Sequence, residues 1–239
     1  MQDDSLITIR KLFKRYPVGR DSFTALGGID LVFERGEFAG LVGPSGSGKT
    51  TILNIIGALD VPTDGSAVVL GRDTRQLGAR EAARLRSRHI GFIFQTYNLL
   101  PVYTVYENVE FPLLLVGMDA ASRRRAVLDA LEWVGLTDKI ASRPAQLSGG
   151  ESQRVAVARA MVKKPEIVLA DEPTANLDAA NSHHILRTMA ALNHDLKTTF
   201  VFATHDAKVI SYLRRRITLN DGRVVSDEIM TPLDGGTAT

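Results

Sequence analysis

The sequence predicts an α/β fold: a mainly parallel sheet around a glycine-rich strand–loop–helix unit, an antiparallel β segment before it and a helical block inserted after it. Three observations predict this. Gly43-Pro44-Ser45-Gly46-Ser47-Gly48-Lys49-Thr50 fits G-x-x-x-x-G-K-[ST]. A strand-like run, 37–42, enters that loop, and 51–59 leaves it with Ile52, Ile55, Ile56 and Leu59 at helical spacing. Downstream, apolar strands alternate with helical patterns, the rhythm of a parallel sheet.

The elements follow in order. Residues 6–16 and 29–34 partly alternate apolar with polar and read as antiparallel strands. Residues 66–70 and 90–94 are further strands, flanking a basic amphipathic helix over 79–87. From 95 to about 143 the pattern turns helical. Thr104-Val105-Tyr106-Glu107 is a capping box opening one helix. Residues 120–134 form another, with Val127, Leu128, Leu131 and Val134 inward and Gly135 ending it. The α/β rhythm returns after Pro165, with strands at 167–170 and 199–203 and helices at 178–193 and 206–213. Residues 217–219 and 223–226 pair across Asn220-Asp221-Gly222, a hairpin signal. The expectation is one domain over 1–230, with a helical subdomain at about 96–164 and a flexible tail at 231–239.

Bulk composition narrows the classes. The chain has 239 residues, enough for one large domain with a subdomain. Its net charge of +2 is too small to argue for nucleic acid. With no cysteine, disulfides and thiolate metal sites are excluded. The acidic start, Met1-Gln2-Asp3-Asp4, has no apolar core of a secretory signal. The most apolar stretch, 109–118, is broken by Pro112 and too short to span a bilayer, so no direct membrane insertion is expected. The runs Arg123-Arg124-Arg125 and Arg214-Arg215-Arg216 read as a solvated helix face and a strand flank.

The chemistry-bearing residues form three groups. Glycines in the 43–50 loop let backbone N–H groups close around phosphate oxygens; Lys49, expected on a surface loop, can reach the outer phosphates, and the Thr50 hydroxyl can hold Mg²⁺. A chance match of this kind in such a chain is roughly a one-in-a-hundred event, and the strand and helix around it make the assignment firm. The apolar run Ile167-Val168-Leu169-Ala170 ends in Asp171-Glu172, where α/β sites lie. Asp171 suits the Mg²⁺ shell, and Glu172 is placed to polarise an attacking water. Ser148, three residues before Glu151, opens a helix through Val155, Ala158 and Val162. Gly149 and Gly150 leave N–H groups bare there, which is an anion site.

With these motifs in this order, over about residues 6–228, the chain resembles the ATP-binding cassette (ABC) ATPases. The resemblance implies ATP and Mg²⁺ as ligands, with Gly43, Pro44, Ser45, Gly46, Ser47, Gly48, Lys49, Thr50 and Thr51 around the phosphates. It implies that Tyr16 stacks on adenine, that Gln95 touches Mg²⁺ or its water, and that His205 senses the γ-phosphate. It also implies that Leu147-Ser148-Gly149-Gly150-Glu151 meets a nucleotide held by a second copy, in a head-to-tail dimer around two ATP, and that Asp178 of the Asn176-Leu177-Asp178 loop contacts nucleotide. The family more often has Gln where Glu151 stands. His183 and His184 read as surface residues with no role.

The stretches Gly91-Phe92-Ile93-Phe94-Gln95-Thr96-Tyr97-Asn98-Leu99-Leu100-Pro101 and Glu107-Asn108-Val109-Glu110-Phe111-Pro112-Leu113 are similar to the subgroup serving lipoprotein-releasing, macrolide-export and cell-division complexes. That implies integral membrane permease subunits as partners, gripped by residues 95–113 through Tyr97, Leu99, Leu100 and Tyr103. It also implies a peripheral place on the cytoplasmic face of the inner (plasma) membrane. The alternative is a soluble ABC ATPase acting on nucleic acid or the ribosome; such chains usually carry two cassettes or a long coiled-coil insertion. A regulator without turnover would lack Glu172 or His205, and both are present.

Overall fold

The computed structural model describes residues 5–19 and 21–230; the expected tail at 231–239 lies outside them. Two sheets organise the fold. Strands β1 (Ser5–Val18), β2 (Asp21–Glu34), β4 (Asp64–Val69) and β5 (Arg72–Asp73) form an antiparallel sheet in the order β2-β1-β4-β5. Strands β3 (Phe38–Val42), β6 (Ile90–Ile93), β7 (Ile167–Asp171), β8 (Thr199–Thr204), β9 (Arg215–Asn220) and β10 (Arg223–Ile229) form a second sheet in the order β10-β9-β3-β8-β7-β6. It is parallel from β9 to β6, with β10 returning antiparallel as a hairpin.

Parallel strands are covered on both faces, so their alternate residues feed two cores. In β8, Phe200 and Phe202 face one core and Val201 and Ala203 the other; in β7, Val168 and Ala170 oppose Ile167 and Leu169. One core lies beneath the antiparallel sheet, helix α1 (Lys49–Ile56) and Leu85 of helix α2 (Ala79–His89). The other lies beneath helices α3 (Val105–Leu115), α4 (Ala120–Trp133), α5 (Gly149–Met161) and α6 (Ala179–Leu196). A short helix, α7 (Ala207–Ile210), follows β8.

The helix expected over 120–134 with Gly135 ending it runs Ala120–Trp133, and Gly135 turns left-handed at φ +64°. Asp119, Ser148, Asp178 and Asp206 are side-chain N-caps, and Thr104 makes the anticipated capping box. The helix expected over 51–59 starts at Lys49 and stops at Ile56, because Gly57 and Ala58 (φ +50°) turn the chain and leave Leu59 exposed. The helix expected over 206–213 is a single turn. The first two strands run further than their patterns, because each supplies the other's hydrogen bonds out to the pair Val18–Asp21. The arginine runs are not merely solvated: Arg123 pairs with Glu110, Arg215 with both Glu37 and Asp227, and Arg216 with Glu228. These ion pairs tie α4 to α3 and β9 to its neighbours.

Asn193 anchors the rear of α6. It is buried, its Nδ2 donates to the carbonyls of Gly36, Glu37 and Thr198, and its Oδ1 accepts from Arg214. Replacing it strands buried polar groups, each costing on the order of 1–3 kcal/mol. Urea unfolding of Asn193→Ala is expected to show a loss of about 2–4 kcal/mol; a midpoint equal to the parent protein's would show that water replaces these bonds.

Candidate active site at the carboxyl ends of the parallel strands

Register brings the predicted residues to one edge of the parallel sheet. Val42 stands beside Thr204, Asp171 beside Ala203 and Ile93 beside Ala170, so the loops after β3, β6, β7 and β8 leave together. They border a cleft of about 350 Å³ lined by Tyr16, Ser45, Gly46, Gly48, Lys49, Thr50, Thr51, Gln95, Asp171 and Glu172, and also by Phe23 and Ala25.

The glycine-rich loop closes tightly on itself. Gly48 sits at φ +99°, and a Cβ there would lie 2.6 Å from Leu26 Cδ2 and 2.8 Å from the Ala25 carbonyl. Only glycine lets the loop pass beneath the β1–β2 ribbon into α1. The first N–H groups of α1 have no intrahelical acceptor and favour an anion. Lys49 begins this helix and is buried rather than on a surface loop. Its Nζ donates to the Gly43 and Pro44 carbonyls at 2.7 and 2.8 Å. The Ser47 hydroxyl is buried with no hydrogen-bond partner among the described residues.

Thr50 and Asp171 meet across 121 residues, with the hydroxyl donating to the carboxylate at 3.0 Å. Burial pushes the Asp171 carboxyl above the ordinary Asp range; the Thr50 hydrogen bond opposes this and the neighbouring Glu172 charge adds to it. One carboxylate and one hydroxyl beside open space suit Mg²⁺, which keeps waters and takes its remaining ligands from substrate phosphates. No cluster of three or more His, Cys, Asp or Glu among the described residues offers a protein-only cage.

Glu172 holds a left-handed backbone, φ +45°. Its Oε2 accepts from the Thr204 hydroxyl at 3.1 Å, and its Oε1 lies 2.6 Å from His205 Nδ1. That pairing was not visible in the sequence, which placed the two residues separately. Asn176 reaches back to the Gln95 carbonyl at 2.9 Å.

Tyr16 is set by β1–β2 register, directly opposite Phe23. Its hydroxyl donates to Asp60 Oδ2 at 2.8 Å, and Lys14 pairs with the other oxygen of Asp60 at 2.5 Å. Asp60 and Phe23 escaped the sequence reading. Phe23 would have followed from reading 16–23 as a hairpin; Asp60, 44 residues from Tyr16, has no local signal.

Two predicted groups lie outside this cleft. Ser148 caps α5 by accepting from the Glu151 N–H, while Glu151 Oε2 accepts from the Ser148 N–H at 2.8 Å. That bond holds the Glu151 carboxyl below its usual range, with Lys139 assisting from 3.4 Å. Asp178 caps α6 through Asn181. A Cβ on Gly150 would lie 2.5 Å from Asn181 Oδ1, so its glycine lets α5 abut α6. His184 is exposed as expected, but His183 is half-buried and bonded to the Tyr212 hydroxyl at 3.0 Å.

A glycine loop at a helix start, with a hydroxyl–carboxylate pair at its flank, defines a P-loop nucleotide-binding domain. A family profile described as ABC transporter matches residues 26–175. A macrolide export ATP-binding/permease protein of Burkholderia thailandensis is 43% identical over 98% of this chain, which spans about a third (36%) of that relative. A lipoprotein-releasing system ATP-binding protein of Legionella pneumophila (strain Paris) is 41% identical over 95% of this chain and 100% of its own. A dimeric bacterial ABC transporter cassette superposes with TM-score 0.87 at 40% identity, covering 94% of this chain and 99% of that one. A dimeric post-hydrolysis cassette bound to ADP and Pi superposes with the same score. The chain belongs to the ABC transporter family and has the fold of its ATPase cassette.

Tyr16 generates a graded expectation for ATP affinity. Tyr16→Phe loses only the hydroxyl and its bond to the Asp60 carboxylate, about 3 kcal/mol at most. Tyr16→Ala also loses the ring, a further 1–3 kcal/mol or so if it stacks on the base. Calorimetric titration with ATP separates them; equal losses in the two variants would refute stacking.

Proposed function

We propose that this chain binds and hydrolyses ATP with Mg²⁺ as one of two like subunits, and that it drives a membrane permease. The observation that carries the reading is the convergence of Lys49, Thr50, Asp171, Glu172 and His205 at one sheet edge. In this reading Lys49 leaves the Gly43 and Pro44 carbonyls for the β and γ phosphates, and the 43–51 loop supplies N–H donors. Thr50, Asp171 and Gln95 hold Mg²⁺, whose charge offsets that of the phosphate oxygens. Glu172 orients and polarises the attacking water. His205, already against Glu172, holds that carboxylate in place and reaches the γ-phosphate.

The same reading gives Ser148, Gly149, Gly150, Glu151 and Asp178 to a nucleotide on a second copy. They lie outside the cleft of their own chain, and the solved neighbours are dimeric. A permease partner fits the relatives' names, one of which is an ATP-binding/permease protein. No helix among the described residues is long and apolar enough to cross a membrane. The chain then works peripherally at the cytoplasmic face of the inner membrane. Export and lipoprotein release, named in those relatives, favour transport over a role with nucleic acid or ribosomes.

The permease contact is better assigned to a groove than to the whole of 95–113. A groove of about 480 Å³ between α2, β6 and α3 is lined by Phe92, Phe94, Leu100, Phe111 and Leu115, with Arg86, Arg159 and Lys163 among its polar residues. Leu99 packs partly against the core and Tyr97 is half-buried beside Gly149, so neither has the full exposure expected of it.

Two outcomes test the reading. Glu172→Gln slows chemistry without touching the phosphate ligands, so ATP persists and the closed dimer gains population. Light scattering is expected to show a dimer with ATP and Mg²⁺, a monomer with ADP, and no dimer once Ser148→Arg is added. A Glu172→Gln monomer at saturating ATP refutes the composite site. Separately, Leu100→Glu with Leu115→Glu is expected to release the chain from membranes that carry its permease. Unchanged cosedimentation moves the contact elsewhere.

A further inference from the structure

Gln153 sits in α5, five residues beyond the Ser148 cap, and is fully buried. Its Nε2 donates to the Pro173 carbonyl at 2.6 Å, on the residue that directly follows Glu172. Its Oε1 is buried with no hydrogen-bond partner among the described residues. An unsatisfied buried oxygen costs free energy that an apolar side chain of equal volume avoids, so packing alone does not account for an amide here. What the amide does supply is a grip on the turn that holds Glu172.

That turn has little slack. Glu172 lies at φ +45°, its N–H donates to the Ala203 carbonyl at 2.9 Å, and its own carbonyl accepts from Ala175 at 3.2 Å. Thr174 is tied to Asp206, beside His205, at 2.9 Å. The start of α5 is equally constrained, because Gly150 abuts Asn181, which holds Asp178 at the far end of the same turn. A shift of α5 along its axis therefore moves the Pro173 carbonyl through Gln153, and with it the Glu172 carboxylate.

We propose that Gln153 is a positioning residue that couples the two nucleotide sites of the dimer. The inference rests on the composite-site reading above. The Ser148 end of α5 meets the nucleotide of a second copy, while Gln153, on the same rigid helix, sets Glu172 over the nucleotide of its own chain. Engagement at one site thus aligns the carboxylate at the other.

The test uses the full chain. Gln153→Met keeps length and apolar volume but removes the donor. Equilibrium ATP binding is expected to stay at the parent value, because no phosphate ligand changes. Turnover at saturating ATP is expected to fall roughly tenfold or more, the scale of a slightly misplaced catalytic group. Its Hill coefficient is expected to fall to one. Undiminished, cooperative turnover in a folded Gln153→Met protein overturns this inference alone. A Glu172→Gln protein that stays monomeric with ATP overturns the composite site and this inference with it. Hydrogen exchange needs no change at position 153. In Glu172→Gln, ATP is expected to slow exchange over 172–177, and Ser148→Arg is expected to abolish that slowing while ATP stays bound. Slowing that persists in the ATP-bound Ser148→Arg monomer, or is absent in the dimer, also overturns the coupling.

Discussion

The turn after β7 is the constraint on which the site depends. A glutamate in the left-handed region costs of order 1 kcal/mol or more, and persists only where the surroundings over-determine it. Here four separate elements do so. β8 takes the Glu172 N–H, α5 takes the Pro173 carbonyl, the start of α7 takes Thr174, and the segment after β6 takes Asn176. The payoff is orientation: an ordinary extended residue would send the carboxylate to one face of the sheet. The turned backbone instead sets it against Thr204 and His205 at the strand ends.

Parallel register does the remaining placement. β3, β7 and β8 run side by side and end level, so three loops distant in sequence open on one cleft. The strands are apolar on both faces and cannot slip by one residue without exchanging the contents of two cores. Phe38, Phe200 and Phe202, packed within 6 Å of one another, lock β3 to β8 on one side. Register, and through it the separation of Thr50 from Asp171, is thus fixed largely by apolar packing between the strands.

What was legible in the sequence was local. The glycine loop, the apolar strand ending in Asp171-Glu172 and the Ser148–Glu151 box each carry their signal within a few residues, and each stands where expected. Helix starts were readable where a cap is a side chain, and Gly135 marked the end of α4; the end of α1 was not readable, because Gly57 and Ala58 stop it by backbone turning. What escaped depends on pairs far apart. Asp60 with Tyr16, Glu172 with His205 and Gln153 with Pro173 are made by tertiary register, and no spacing encodes them. Lys49 was misjudged for a related reason: a loop that folds back on its own lysine buries a charge that the motif alone suggests is open.

Glu151 shows how a departure from a family pattern is absorbed by local chemistry. A carboxylate in the first turn of α5 lies near the end proposed to meet phosphate, where a free negative charge repels it. Yet the charge is not free. One oxygen is committed to the Ser148 N–H and the other faces Lys139 at 3.4 Å. The carboxylate therefore serves the helix as a cap, where the macrodipole favours it, and its outward charge is offset by a cation. Ser148 keeps its hydroxyl hydrogen, since its oxygen acts as acceptor toward Glu151. A glutamine here would accept the same Ser148 N–H, so the carboxylate changes the charge at this helix end and not the pattern of its cap.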